Sequence, residues 1–280
     1  MMGLLARGGQ FTAALKQYQQ CRAILAAELD VTPSAVTTAL YERIKTALAM
    51  PPPNLPPSVT PFIGRETEIA ALQRLLTDPD CRLLTLTGVG GIGKSRLALQ
   101  SARAAADDDS RLFLHGVAYA SLAGVDAQDL IRAVGDGLGL AFSGPEPVER
   151  QLLHYLRELE ILLLLDNYEH LLPDTTLLAT VLERTSSVKL LVTSRERLKL
   201  REEWVFEVGG LPYPEQAIDD PEASDDLDYD AVSLFAACAR RGQRSFSLAQ
   251  SGREAAAISR LVQGMPLALE LSAARLQALS

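Results

Sequence analysis

At 280 residues the chain has room for about two domains, and its 48% hydrophobic, 22% charged and 5% aromatic residues are those of a globular protein, not a fibrous or disordered one. A formal net charge of −8 argues against a large intrinsic face for nucleic acid. The three cysteines, Cys21, Cys81 and Cys238, are far apart and form no CxxC pair, which argues against a zinc site or a disulfide framework and leaves them as small buried hydrophobes.

The start, "MMGLLARGGQ", lacks the apolar core and cleavage site of a signal peptide. The longest apolar run, Ile161–Leu165, is far below the ~20 residues that span a bilayer. The expectation is a cytoplasmic protein with no membrane partner.

Residues 1–49 read as a helical unit, with helical periodicity over 10–48. Ala14, Tyr18, Cys21 and Leu25 recur at helical spacing, and Leu40, Ile44 and Leu48 repeat it after a break at "DVTPS", where Ser34 or Thr32 would cap the second helix. Residues 50–61 hold six prolines. Proline fixes φ and lacks an N–H, so this stretch is expected to be an extended spacer between domains.

From Leu83 onward short apolar strands alternate with amphipathic helices. Strands are expected at Leu83–Thr87, Phe113–Ala120, Ile161–Leu165 and Lys189–Thr193, with a weaker one at Trp204–Val208. Helices are expected at Lys94–Ala106, Ala127–Leu138, Val148–Glu158 and Thr176–Arg184. Mostly apolar strands separated by helices predict an α/β fold: a parallel sheet over 62–212 with helices on both faces. Beyond Pro212 the strand signal stops. An acidic stretch, "DDPEASDDLDYD", reads as a solvated loop, followed by helices at Ala231–Arg241 and Arg253–Gln263 and a third beginning at Pro266. Residues 213–280 thus form a helical subdomain.

Between the first strand and its helix lies Gly88-Val89-Gly90-Gly91-Ile92-Gly93-Lys94-Ser95, which fits the phosphate-binding P-loop in full. Glycines let backbone N–H groups curve inward around phosphate oxygens, and the helix start adds positive partial charge. Lys94 is expected to reach the β- and γ-phosphates and Ser95 to hold Mg²⁺. The alternative is a glycine-rich turn with no ligand. "ILLLLDN" delivers Asp166 to the carboxyl edge of the sheet, where ligands bind in open α/β folds, as a second Mg²⁺ group. Arg195, after the strand in "LLVTSRE", is expected at the same edge. A guanidinium there can report a γ-phosphate; the alternative is an ordinary surface ion pair with Glu196 or Glu202. Asn167, next to Asp166, cannot act as a base, which leaves Glu169 as the candidate.

With these residues in place, "FIGRETEIAAL", "LTLTGVGGIGKSRLALQ", "LLLLDNYEHLL", "LLVTSRERL" and "GMPLALELSAARL" together resemble, over about residues 58–280, the STAND-class ATPases. They look most like the NB-ARC-type module of bacterial transcriptional regulators. The resemblance implies that Phe62, Ile63, Gly64 and Arg65 lie along adenine and sugar, that Arg96 follows the phosphate loop at the nucleotide, and that Pro266 packs on the base. Gly9, Phe11, Ala14, Tyr18 and Cys21 resemble a tetratricopeptide turn and helix, and with "YERI" they resemble the end of a bacterial transcriptional activation domain.

The resemblance further implies ATP or ADP with Mg²⁺ as ligands, slow hydrolysis, and protein partners or self-association rather than direct nucleic-acid binding by this chain. The family's winged-helix histidine has no match in His115, His154 or His170, which reads the chain as a fragment of a longer regulator. A helical interaction scaffold with a non-hydrolysing P-loop domain is the competing expectation.

Overall fold

The computed structural model describes residues 1–107, 112–216, 227–243 and 246–276. Most of the acidic stretch predicted as a solvated loop lies outside the described residues.

Among the described residues five strands form one parallel sheet in the order β2-β3-β4-β1-β5. These are β1 (Leu83–Thr87), β2 (Val117–Ser121), β3 (Ile161–Asp166), β4 (Val188–Thr193) and β5 (Glu203–Glu207). The apolar runs that predicted β1, β3 and β4 are buried throughout or nearly so, because both faces of the sheet are covered. Side chains alternate between faces with period two. In β3, Ile161, Leu163 and Leu165 join the core under α6 (Leu130–Gly137), α7 (Val148–Arg157) and α8 (Thr176–Arg184). Leu162 and Leu164 point to the other face, under α4 (Glu66–Thr77) and α5 (Lys94–Ala105). A run of five apolar residues is therefore what a strand buried on both faces needs.

One expected strand and one expected helix start shift. The stretch predicted from Phe113 begins instead at Val117, since Gly116 at φ 74 closes a turn by donating to the Phe113 carbonyl at 2.9 Å. Phe113 and Leu114 are buried within that turn, so their hydrophobicity mimicked strand. The expected start of α6 is a 3₁₀ turn, Ala127–Asp129. The weakly predicted edge strand β5 is real, with Trp204 and Val205 exposed as an edge allows.

At the amino-terminal side, α1 (Met2–Arg7), α2 (Phe11–Leu29) and α3 (Ala35–Ala49) pack together. Ser34 caps α3, its Oγ accepting the Thr37 N–H. Tyr18 of α2 stacks on Tyr41 of α3 with ring centroids 4.2 Å apart. The proline-rich segment 51–61 forms neither helix nor strand, and it is more than a spacer. Asn54 exchanges two hydrogen bonds with the backbone of Tyr119, at 2.7 and 2.8 Å, and so pairs one residue to the free edge of β2. Leu55 packs on the α4–α5 side of the core.

The carboxyl-terminal helices α9 (Asp230–Gly242), α10 (Leu248–Leu261) and α11 (Pro266–Leu276) bury their own cluster around Phe235 and Leu269. α10 starts earlier than predicted and is kinked at Ser251. The helices are tied back to the sheet at the chain leaving β5. Leu211 N–H donates to the Gly264 carbonyl at 2.9 Å, and Gly264, at φ 64, lies so close to the Leu211 backbone that a Cβ could not be placed there. Cys81 is buried and its thiol is pushed up to about 11 by desolvation, so it is a core residue and not a reactive one.

Candidate functional site

The parallel sheet brings four chain segments to its carboxyl edge. The loop after β1 holds Gly88–Gly93, and α5 begins at Lys94. Gly88, Gly91 and Gly93 have φ of 149, 81 and 96, a region that residues with a Cβ rarely enter. Space is limiting too. A Cβ at Gly88 would stand 2.8 Å from the Val208 carbonyl oxygen, and one at Gly91 2.8 Å from the Leu267 side chain. The glycine pattern is thus demanded by both curvature and close approach.

Lys94 is buried, and its ammonium donates to the carbonyls of Gly88 at 2.7 Å and Val89 at 3.2 Å. Desolvation lowers its pKa, and the nearby Glu169 works against that shift more strongly than Asp166 does. Ser95 follows in the first helical turn. Asp166 ends β3, buried, and its Oδ1 accepts from the Thr193 hydroxyl at 2.5 Å. The same Thr193 oxygen accepts the Asn167 N–H at 2.8 Å, so the end of β4 fixes the rotamer of Asp166 and the turn after it. The Tyr119 phenol lies beside Asp166 and Ser121, with its pKa raised mainly by burial.

Asn167 has left-handed backbone, φ 70, and starts the 3₁₀ turn Tyr168–Leu171. Tyr168 anchors that turn, fully buried, its hydroxyl donating to the Asp174 carbonyl at 2.9 Å. His170 is hydrogen-bonded to the Val125 carbonyl at 2.9 Å, a structural role in keeping with its place in the sequence. Glu169 is thereby turned toward the loop. Its partner is Arg195, whose Nε donates to Glu169 Oε1 at 3.0 Å. Neither Glu196 nor Glu202 takes that place. An open groove of about 800 Å³ runs along this edge, lined by Gly88–Gly90, Arg195–Arg197, Val205 and Glu207.

Three other expected ligand residues are placed differently from one another. Pro266 is at the loop: a Cβ on Gly93 would stand 3.8 Å from Pro266 Cγ. Leu267 N–H donates to the Gly91 carbonyl at 3.2 Å, so α11 starts on the phosphate loop itself. Arg65 is buried, its Nη2 donating to the carbonyls of Ile92 at 2.8 Å and Gly209 at 2.9 Å. Its guanidinium holds the loop in shape and ties it to the chain leaving β5. Arg96 turns outward to Glu270 of α11 at 3.3 Å, to the Thr60 hydroxyl at 2.9 Å and to the Pro61 carbonyl at 2.8 Å, over the Phe62 ring. It joins the linker to α11 rather than facing the loop. Phe62 is half-buried against the α4–α5 core, Ile63 reaches the carboxyl-terminal helical cluster, and Gly64 abuts the Asp230 carboxylate. Sequence reasoning missed the clamps of Arg65 and Arg96 because each joins segments far apart in the chain.

The donor set fits a triphosphate with Mg²⁺. Ser95 and Asp166 are hard oxygen groups on one edge, suited to a hydrated Mg²⁺. The buried Glu169 Oε2 has no hydrogen-bond partner among the described residues, so the edge keeps acceptor capacity in hand. Among the described residues no group of three or more His, Cys, Asp and Glu could hold a metal by itself. No helix among the described residues is long and apolar enough to cross a membrane.

A family model described as AAA ATPase domain matches residues 61–274, and one described as bacterial transcriptional activator domain matches residues 1–45. An uncharacterized protein of Mycobacterium bovis is 33% identical over 225 residues, covering 79% of this chain and 52% of its own length. Regulatory protein AfsR of Streptomyces griseus is 30% identical over 225 residues, covering 71% of this chain and 22% of its own. The chain therefore spans about half the length of the first relative and about a fifth of the second. A STAND protein with a tetratricopeptide repeat sensor from Pyrococcus horikoshii superposes with TM-score 0.46 at 19% identity, covering 77% of this chain and 30% of its own.

Proposed function

This chain belongs to the AAA ATPase domain family, and from that premise we propose that it is the nucleotide-operated switch of a bacterial transcriptional regulator, binding ATP or ADP with Mg²⁺ and hydrolysing ATP slowly. The relatives at 30–33% identity include a regulatory protein, and the amino-terminal match to a transcriptional activator domain supports the same setting.

One observation carries the switch reading. The first residues of α11 are bonded to the phosphate loop, through Leu267 N–H and the Gly91 carbonyl at 3.2 Å. A ligand in the loop would lie beside that helix, and the helix belongs to a separately packed cluster. A ligand can shift such a contact only by binding its two arrangements with different affinity.

In this reading Gly88–Gly93 and Lys94 hold the phosphates, Ser95 and Asp166 hold Mg²⁺, and Arg195 reads the γ-phosphate. Pro266 and the Phe62–Arg65 turn border the base and sugar. Bound Mg²⁺ would neutralise charge developing on the transferred phosphoryl group. Glu169 is the base, accepting a proton from water three residues after Asp166. Asn167, in the adjacent position, offers no base, which supports slow turnover. The output is a change in conformation that governs self-association or protein partners, in the cytoplasm.

The test compares the full chain with Mg-ADP and with Mg-AMP-PNP by limited proteolysis and small-angle scattering, beside single-turnover hydrolysis of Mg-ATP. The switch predicts different cleavage near residues 209–216 and turnover far below one per second. Identical patterns, or many turnovers per second, would sink it. The scaffold reading, favoured by Asn167 beside Asp166, is separated by Lys94→Ala. Under the scaffold reading nucleotide does not stabilise the wild type and the substitution changes nothing.

A further inference from the structure

Glu169 and Arg195 come from the ends of neighbouring strands, yet in the structure each occupies the other. Arg195 Nε donates to Glu169 Oε1 at 3.0 Å, while the rest of the guanidinium reaches over the phosphate loop. A Cβ at Gly90 would stand 3.6 Å from Arg195 Nη2. The second carboxylate oxygen, Glu169 Oε2, is buried with no hydrogen-bond partner among the described residues. Lys94 lies within the electrostatic reach of the same carboxylate. One anion thus faces both cations that a terminal phosphate would need.

We infer that the Glu169 carboxylate is an internal competitor for the γ-phosphate: a triphosphate takes Arg195 from Glu169, whereas a diphosphate leaves the pair intact. Arg195 then distinguishes the two nucleotides by the difference between a carboxylate and a phosphate, not by contact with phosphate alone. A guanidinium binds phosphate oxygens in a fork, and the exchange replaces one singly charged partner by a more highly charged one. The pair is also weak enough to be given up. Arg195 is 65% exposed and Glu169 20%, and a pair of that kind holds back a competing anion only about two- to fivefold. The exchange has a second consequence. Glu169 is free of its arginine only when the γ-phosphate is present, so the candidate base is available only beside a cleavable bond.

This inference rests on the nucleotide-site reading, and its test separates the two. Affinities of the full chain for Mg-AMP-PNP and Mg-ADP are measured by calorimetry for the wild type, Glu169→Gln, Arg195→Ala and the double variant. Glu169→Gln should raise the preference for AMP-PNP over ADP by about two- to fivefold. Arg195→Ala should lower it, and in that background Glu169→Gln should no longer change it. Glu169→Asp, which keeps the charge but shortens its reach, should behave like Glu169→Gln and serves if that variant does not fold. An unchanged preference in Glu169→Gln overturns the exchange. An equal gain with and without Arg195 also overturns it, since the charge would then act through space. If the wild type binds both nucleotides and only the preference fails to move, the nucleotide site stands and the exchange falls. If the wild type binds neither, both fall.

Discussion

The two edges of one sheet are built in opposite ways. At the amino edge most of the charged and polar groups have partners, with the buried Arg82 Nε an exception among the described residues. His115 is 3% exposed, its Nδ1 accepting the Glu160 N–H at 2.9 Å and its Nε2 bonded to the Arg43 carbonyl at 3.1 Å. Those two bonds require a neutral ring, with Nε2 protonated. Glu160 receives Arg43 at 2.7 Å and Arg7 at 3.4 Å. Arg82 donates to the Leu182 and Val188 carbonyls at 2.8 and 3.2 Å. These bonds fasten α1–α3 and α8 to the sheet. At the carboxyl edge, among the described residues, Lys94 donates to carbonyls of its own loop, Glu169 keeps an unpartnered oxygen, and the exposed Arg195 pairs with Glu169. The chain thus uses side-chain bonds to fasten flanking helices at one end of the strands and leaves more groups lightly held at the other.

Three substitutions probe the difference between the two edges. The largest effect should come from Lys94→Ala, which removes the buried cation of the loop. Mg-ADP affinity should fall on the order of a hundredfold, as losing a charge-assisted contact to phosphate does. Calorimetry checks it, and the amino edge should be untouched, with the melting temperature of the nucleotide-free chain changing little. Gly264→Ala should come next. Its φ of 64 and the adjoining Leu211 backbone force the chain to move, at a cost of about 1–3 kcal/mol. Thermal unfolding should show the loss, and ADP affinity should fall with it because the displaced turn leads into Pro266 and Leu267.

His115→Leu should cost about 1–3 kcal/mol by leaving both the Glu160 N–H and the Arg43 carbonyl unpaired, yet leave ADP affinity within about twofold, the spread expected of uncoupled sites. An equal loss of affinity would show that the two edges are not independent. A smaller effect follows from pH. Burial and the Arg43 charge hold the His115 pKa below its ordinary value of 6.5. The native state then binds fewer protons than the unfolded chain. The contribution of His115 is therefore complete above about pH 6.5 and is lost as pH falls below that value toward the folded pKa. Melting temperatures between pH 7.5 and 5.5 should decline less steeply in His115→Leu than in the wild type.

Much of this was legible in the sequence where one residue type has one physical use. The glycines at 88, 91 and 93 predicted the loop because their backbone admits little else. The runs at β1, β3 and β4 predicted buried parallel strands because both faces are covered. Asp166 was found as the polar end of such a run. What stayed hidden depends on partners distant in the chain. Glu196 and Glu202 are nearer to Arg195 in sequence, but the partner it takes is Glu169, 26 residues away at the next strand's end. α1 has only six residues, too short for a periodic signal, and is held by packing. Phe113 and Leu114 misled because a buried turn is as apolar as a strand. Asn54 gave no signal at all, since one side chain mimicking a neighbouring strand leaves no pattern.

The most direct test of the central claim is amide hydrogen exchange on the full chain with Mg-ADP and with Mg-AMP-PNP, followed at two amides. One is Leu267 N–H, bonded to Gly91 at the carboxyl edge; the other is Glu160 N–H, bonded to His115 at the amino edge. Protection at Leu267 should differ between the two nucleotides while protection at Glu160 should not. Equal protection at Leu267 with both nucleotides, or a change centred on Glu160, would contradict it.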